Sequence, residues 1–538
     1  MTATDARSLF PPEAPEALLD AFVDYERAIG ENDLDALDDY FAPGERTMRG
    51  DAGGLLVGHA AIHDFRGTRG GVPARTIERV EYRELAPGVV LLLSVSRYCV
   101  GGTGLQTQVW QEIEGRWLIT AAHVTPRATA LNRTIWRTVG DPLFQGAWEG
   151  PLAGLTVAVK DLFAVKGYRI GAGNPTYLEA ARPEKVSAPA VADLLAGGAS
   201  LRGIARTDEF AYSVAGDNAH YGTPPNAALP GALPGGSSNG AASAVATGQA
   251  EIGLATDTAG SVRVPASYQG LWGLRTTHNL VPRQGLLPLA QSFDTVGWLT
   301  RDGATMQRVV DWCLSYDGSE STESVLGASG SDLPWRFAVP REVLAMLEPA
   351  TREAFEAALG RLAQVADTAG APEITEVDLG DLAAIHAEFR TVQGAEAWRN
   401  NGDWLREHPG ALGPAVAQRF REASQVTAAQ ESAARGALEP VRRHVESLVA
   451  ESVLLLPTVP GPAPMRTATG ERVDAVRTAT LRMTTPAAVA GLPALSVPLL
   501  TVPSSLGPAP VGLCLISRAD TDIALVRLAR RLEAALRA

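Results

Sequence analysis

At 538 residues the chain has room for three to four domains of ~150 residues, or for one large catalytic unit with an appended module. With 46% apolar and 20% charged residues it reads as an ordinary globular protein, which argues against disorder, collagen-like repeats and coiled coil. A formal charge of −13 without any Lys/Arg-rich run disfavours nucleic acid as a partner, and no apolar run approaches the ~20 residues that span a bilayer.

Residues 1–15 carry acidic groups and prolines instead of a basic start followed by an apolar run, so no export signal is read and a cytoplasmic protein is expected. Cys99, Cys313 and Cys514 lie far apart, which predicts neither a disulfide framework nor a zinc knuckle. Of 47 basic residues only Lys160, Lys166 and Lys185 are lysine, leaving 44 arginines. Arginine keeps its proton in a protein whereas a desolvated lysine can lose it, so a lysine retained in an apolar setting stands out.

In chain order, Leu18, Phe22, Tyr25 and Ile29 fall at helical spacing and predict a helix from Glu16 to Ile29. A shorter helical turn from Leu34 to Phe41 follows Asn32-Asp33. Three β-rich runs come next, Val89 to Cys99, Leu105 to Ile113 and Trp117 to Val124, separated by glycine-containing turns, and they predict an antiparallel meander. Together these elements make a small α+β module ending near Pro126. Tyr25-Glu26, Asn32-Asp33-Leu34, Phe41, Gly58-His59 and the Trp110…Trp117…His123 sheet resemble the cone-shaped NTF2-like fold. More narrowly, the module is similar to the small proteins encoded beside amidases in oxalurate and cyanuric-acid breakdown, and residues 1–128 are assigned to it. On that resemblance His59, His63, Arg66, Tyr98 and His123 are candidates to line a pocket in the cone. Folds of this kind often pair through their sheets, which implies a homodimer.

Residues 129–147 mix polar and aromatic groups without clear periodicity and read as a linker. From 148 to 538, short apolar runs (Leu155 to Val159, Ile252 to Ala255, Val453 to Leu456, Ala494 to Val497) alternate with alanine-rich helical stretches. That pattern predicts an α/β fold, a sheet covered on both faces by helices. Long helical segments are read at Arg341 to Ala369, Ala415 to Ala450 and Asp520 to Leu536.

Lys160 ends the apolar run Leu155-Thr156-Val157-Ala158-Val159, so it projects from the end of a buried strand into the crevice where such sheets bind ligands. Burial lowers a lysine pKa and makes the neutral amine, a base, accessible. The loop Pro234-Gly235-Gly236-Ser237-Ser238-Asn239-Gly240 runs into a stretch of small residues and can bring backbone and hydroxyls close to a ligand. After the strand Ile252 to Ala255 comes Thr256-Asp257-Thr258-Ala259-Gly260-Ser261-Val262-Arg263, a run of small residues able to turn backbone N–H groups toward one point.

These pieces, with Asp294-Thr295-Val296-Gly297 and Gly491-Leu492-Pro493-Ala494, resemble the amidase signature family of serine hydrolases from about Trp148 to the C-terminus. The resemblance implies a large α/β/α domain with a mixed central sheet. It also implies Lys160 as base, Ser237 as bridging serine on a cis peptide, Ser261 as nucleophile, and Thr258, Ala259 and Gly260 as oxyanion-hole amides. It calls for neither metal nor organic cofactor. Asp257 and Arg263, which flank the nucleophile, are expected to form an ion pair that stiffens the turn, and Ser238 to support it. Glu209, in Thr207-Asp208-Glu209-Phe210-Ala211, belongs to a segment expected along the approach to the site.

Gly236-Ser237-Ser238-Asn239-Gly240 also satisfies Gly-x-Ser-x-Gly, which would make Ser238 an α/β-hydrolase nucleophile. That elbow needs a strand directly before it, and Ala228 to Pro234 is too proline-rich to supply one. The remaining alternatives are a glutamine-hydrolysing amidotransferase subunit and a silent binding protein on the same fold. The N-terminal resemblance points to a small amide substrate, a ureido acid among the candidates, whose carboxylate would call for an arginine in the cleft.

Overall fold

The computed structural model describes residues 7–51, 54–68, 75–98, 103–126, 132–314, 333–365 and 371–537. The chain divides into two compact units, Met1–Asn132 and Arg133–Ala538. No helix among the described residues is long and apolar enough to cross a membrane.

In the first unit, the helix Glu16–Glu31 buries Leu18, Phe22, Tyr25 and Ile29, the stripe that its spacing predicts. Asn32 ends it in the left-handed conformation, and its N–H returns to the carbonyls of Ala28 and Ile29. Asp33 then caps the short helix Leu34–Asp39 by accepting from the N–H of Ala36. The three expected strands are Val89–Tyr98, Thr103–Ile113 and Arg116–Pro126, paired antiparallel in a meander. The sheet has six strands among the described residues. Arg75–Ala86 joins one edge, while Met48–Asp51, parallel to Arg116–Pro126, and Gly54–Val57 complete the other. Its core packs Phe22, Tyr25, Phe41, Leu92, Trp110 and Ile119, with the rings of Tyr25 and Trp110 edge to face at 5.9 Å.

The second unit is built on a mixed sheet of eleven strands among the described residues. Its order is Glu373–Val377, Arg336–Pro340, Val453–Pro457, Gly507–Ile516, Ala494–Ser504, Trp272–Arg275, Thr295–Thr300, Ile252–Asp257, Thr156–Lys160, Ser200–Ala205 and Trp136–Phe144. All four apolar runs singled out in the sequence are strands of this sheet. The strand Thr156–Lys160 lies between two parallel neighbours, Ile252–Asp257 and Ser200–Ala205, and its last residue is paired with Ala205.

Three expectations change here. The stretch read as a linker contains the edge strand Trp136–Phe144, paired antiparallel to Ser200–Ala205. Only Trp136 of that strand is fully buried, so it lacks the alternating apolar pattern of a core strand. The segment read as one helix from Arg341 is two, Arg341–Leu344 and Pro349–Leu362, with Pro349 opening the second. Likewise Ala415 to Ala450 is two helices, Pro414–Ala423 and Ala428–Leu448, the latter started by a Thr427/Gln430 capping box.

Candidate active site

Lys160 is completely buried. Its Nζ lies 2.8 Å from Ser237 Oγ, 2.9 Å from Ser238 Oγ and 2.7 Å from Thr256 Oγ1. Burial lowers the amine's pKa from 10.5 to about 7, although Asp208, Asp257 and Asp294 pull in the opposite direction. The parallel pairing of its strand with Ile252–Asp257 brings Thr256 beside the amine, and the loop before the buried helix Asn239–Ala246 brings in both serines. The peptide bond between Gly236 and Ser237 is cis.

Ser237 is held from behind. Its carbonyl accepts from Thr207 Oγ1 at 2.9 Å and from the N–H of Asp208 at 3.0 Å. Asp208 is wholly buried; Oδ2 accepts from the N–H of Gly216, and Oδ1 has no hydrogen-bond partner. Burial raises this carboxyl to about 7, with the Gly216 bond and the Lys160 charge pulling it down. No strand precedes the serine loop, since Ala228 to Pro234 forms turns and a single bridge residue, so the elbow reading of Ser238 lacks its required element. Ser238 supports the amine instead, and its N–H donates to the carbonyl of Ser261 at 3.3 Å.

Ser261, nearly buried, lies between the strand Ile252–Asp257 and the helix Arg263–Gln269. The turn around it is organised by Asp257. One carboxylate oxygen accepts from the N–H of Gly260 at 2.8 Å, and the other from Val262 N–H at 3.2 Å and Arg263 Nε at 3.0 Å. The ion pair expected of Asp257 and Arg263 is present at 2.9 Å with both side chains fully buried, and Arg275 joins it at 3.2 Å. Burial alone would raise this carboxyl, but Arg263 and then Arg275 outweigh it and hold Asp257 well below the usual carboxylate range. Thr258 Oγ1 donates to Asp294 at 2.6 Å, and Thr484 Oγ1 donates to the carbonyl of Ala259 at 2.6 Å.

Gly260, with φ +123°, turns its N–H onto Asp257, so that amide is already spent. No acceptor among the described residues takes the N–H of Ala259 or of Ser261 itself.

Glu209 does not line an open approach. It is buried and accepts from Asn174 Nδ2 at 2.7 Å, His220 Nε2 at 2.6 Å and the N–H of Gly413 at 3.0 Å, tying three distant segments together. Sequence reading missed Thr207, Asp208, Thr256, Asp294 and Thr484; the first four sit within or beside motifs it had already marked. Among the described residues no group of three or more His, Cys, Asp or Glu is arranged to hold a metal ion.

In the first unit His59 and His63 converge on Asp38, at 3.3 Å from its carbonyl and its carboxylate respectively, and His123 borders Gly50. The side chains of Arg66 and Tyr98, and all of Cys99, lie outside the described residues. The buried polar groups of the sheet are others. Arg75 pairs with Glu26 at 2.8 Å and donates to Gln106 at 3.2 Å, while Trp110 Nε1 donates to Gln108 at 3.1 Å.

The site thus joins a buried lysine on two serines to a second serine-bearing turn. Residues 139–526 match the amidase family and residues 11–129 the AtzH-like family. The chain belongs to the amidase family, as an amidohydrolase with an AtzH-like domain. Amidase 1 of Arabidopsis thaliana is 34% identical over 400 residues, covering 71% of this chain and 93% of that protein. The 2-amino-5-chloromuconic acid deaminase of Comamonas testosteroni is 34% identical over 404 residues, covering 73% of this chain and 84% of that protein. A solved structure described as a vestigial protein complex that reveals the evolutionary origins of an s-triazine catabolic enzyme matches with a TM-score of 0.63 and 29% identity, covering 72% of this chain and 84% of that one.

Proposed function

We propose that the enzyme cleaves the C–N bond of a small amide through Lys160, Ser237 and Ser261, by way of an acyl-enzyme. The observation that carries this reading is the wholly buried Nζ of Lys160 at 2.8 Å from Ser237 Oγ. A neutral amine there accepts the Ser237 proton while Ser237 takes the proton of Ser261, and the resulting alkoxide attacks the amide carbon. The developing oxyanion is met by the amides of Thr258, Ala259 and Ser261, and one well-aimed donor is worth about 3 kcal/mol of barrier. Collapse of the tetrahedral adduct breaks the C–N bond, and the departing nitrogen takes its proton from Ser237. Water, giving a proton to Ser237 as Lys160 takes that of Ser237, then attacks the acyl carbon; collapse breaks the ester bond, and Ser261 regains its proton from Ser237 as Lys160 returns to the neutral amine.

Ureido acids are the first substrate class to screen, because the AtzH-like domain matches and one relative is named for an acid. The chain is taken to act without a different subunit, as a pair of identical copies. Purified chain alone should release ammonia or amine from a panel of small amides, and Ser261→Ala and Lys160→Met should each abolish turnover. Fluorophosphonate labelling at Ser261 checks the nucleophile directly; retained activity in Ser261→Ala, or labelling at Ser238, rejects the assignment. Activity that needs a second kind of subunit would favour the amidotransferase alternative.

A further inference from the structure

A cavity of about 530 Å³ opens among the helices of the second unit. Three guanidinium side chains face it, those of Arg390, Arg419 and Arg477, against only two carboxylates, Glu422 and Asp474. These charges are unequally matched. Arg390 is paired with Glu422 at 3.1 Å, and Glu422 also accepts from Gln418 at 2.9 Å. Arg419 spends one Nη on the carbonyl of Tyr212 at 2.7 Å. Arg477 Nε is buried with no hydrogen-bond partner. Among the described residues no carboxylate is within ion-pair distance of either Arg419 or Arg477. Burial, then the like charges of Arg419 and Arg390, lower Arg477 to about 10.

The cavity shares its walls with the segments that hold the two reactive serines. Tyr212 lines it, four residues beyond Asp208, whose N–H supports the Ser237 carbonyl. Leu481 and Arg477 line it from the helix Gly470–Val489, which also carries Thr484, the residue bonded to Ala259 beside Ser261. Thr480, between them, lies with Arg477, Val264 and Tyr268 around a smaller adjoining cavity next to the nucleophile turn. Seven residues of helix separate Arg477 from Thr484, a rise of about 10 Å, and helical side chains lean toward the N-terminus, away from Thr484.

We propose that Arg419 and Arg477 bind a carboxylate at the far end of the substrate, so that the enzyme acts on amides or ureido derivatives of acids whose carboxylate is separated from the scissile carbonyl by a short carbon chain. Two unpaired guanidiniums in a shared, partly desolvated space call for an anion, and the planar fork of arginine suits a carboxylate. The spacing favours a six-carbon diacid monoamide over oxamate, in which carboxylate and amide are directly joined. Without an anion the like charges repel one another, which is the cost that a bound carboxylate relieves.

This rests on the reading of Ser261 as the nucleophile for amides, and the test separates the two. Binding of adipate, an anion with no amide to cleave, is measured by calorimetry on the full chain and on Arg477→Gln and Arg419→Lys, with folding of each checked by thermal unfolding. In parallel, kcat/KM for adipamate is divided by that for uncharged hexanamide. Adipate should bind the native chain, and each variant should weaken it roughly tenfold to a hundredfold, with a similar fall in the adipamate preference. Arg477→Gln removes no hydrogen bond and is the variant expected to fold; if Arg419→Lys does not, Arg477→Gln alone decides. Absent adipate binding, unchanged binding in Arg477→Gln, or oxamate turned over as well as adipamate overturns the proposal. Failure to turn over any amide while adipate binds rejects the amidase reading and leaves the anion site standing.

Discussion

The carboxylate of Asp208 occupies the space where Gly236 would carry a side chain: a β-carbon there falls 2.3 Å from Oδ2. The oxygen cannot easily yield, because it is fixed by the N–H of Gly216. Gly236→Ala should therefore displace either Asp208 or the adjoining Ser237, and overpacking of this kind typically costs about 1 to 3 kcal/mol. We expect kcat/KM to fall at least tenfold, with a modest drop in thermal stability. A variant with native kinetics would show that the Ser237 position tolerates a shift.

The pH profile follows from which form of Lys160 works. Only the neutral amine accepts a proton, and its pKa is about 7, so kcat/KM should climb with pH and level off above that value. Asp208 is the largest of the charges favouring the ammonium, so Asp208→Asn should move the midpoint toward lower pH. Measured profiles of the two proteins decide it; a midpoint displaced upward contradicts the assignment of the base.

Asp257 is expected to be the residue whose loss costs most in stability. Asp257→Ala leaves Arg263 and Arg275 buried without their partner, and breaking such a pair typically costs about 3 to 5 kcal/mol. Because its folded pKa lies below the unfolded value of ~3.9, the contribution is present above that pH and is lost only as pH falls through the lower, folded value. Urea denaturation of the native chain and the variant at pH 7 and near pH 4 should show the penalty undiminished at 7.

Thr484→Val keeps the shape but removes the bond to the carbonyl of Ala259. One buried hydrogen bond is worth about 1 kcal/mol in stability. We expect a larger effect on kcat than on KM, because the carbonyl it holds belongs to the turn that aims the oxyanion amides. Equal changes in both parameters would argue for a merely structural bond.

The segments of the candidate site were legible because each is short and local: an apolar run ending in Lys160, a Gly-Ser loop, and a small-residue turn, all of which fold where the pattern places them. Less visible were the parts that depend on chains meeting from far apart. The strand Arg75–Ala86 carries charges at alternate positions and, at a sheet edge, buries only Val80 fully, so its sequence lacks a core-facing stripe. The helix Leu382–Glu407 went unread because Gln393, Glu396 and Asn401 are buried among its apolar residues and blur the period. Nothing local distinguishes Arg419 and Arg477 from the other 42 arginines; only the packing of two helices separated by dozens of residues sets them side by side. The bond from the Gly260 N–H to Asp257 was hidden for a related reason, since the carboxylate lies three residues back and is also held by Arg275 from another strand.

The scarcity of lysine has a practical side. With Lys160 sealed inside, the remaining two side-chain amines, Lys166 and Lys185, are both exposed and lie close together, because the backbone of Lys166 forms a parallel β-bridge with that of Glu184. Modification of lysine side chains would therefore be confined to those two and would spare the buried amine of Lys160.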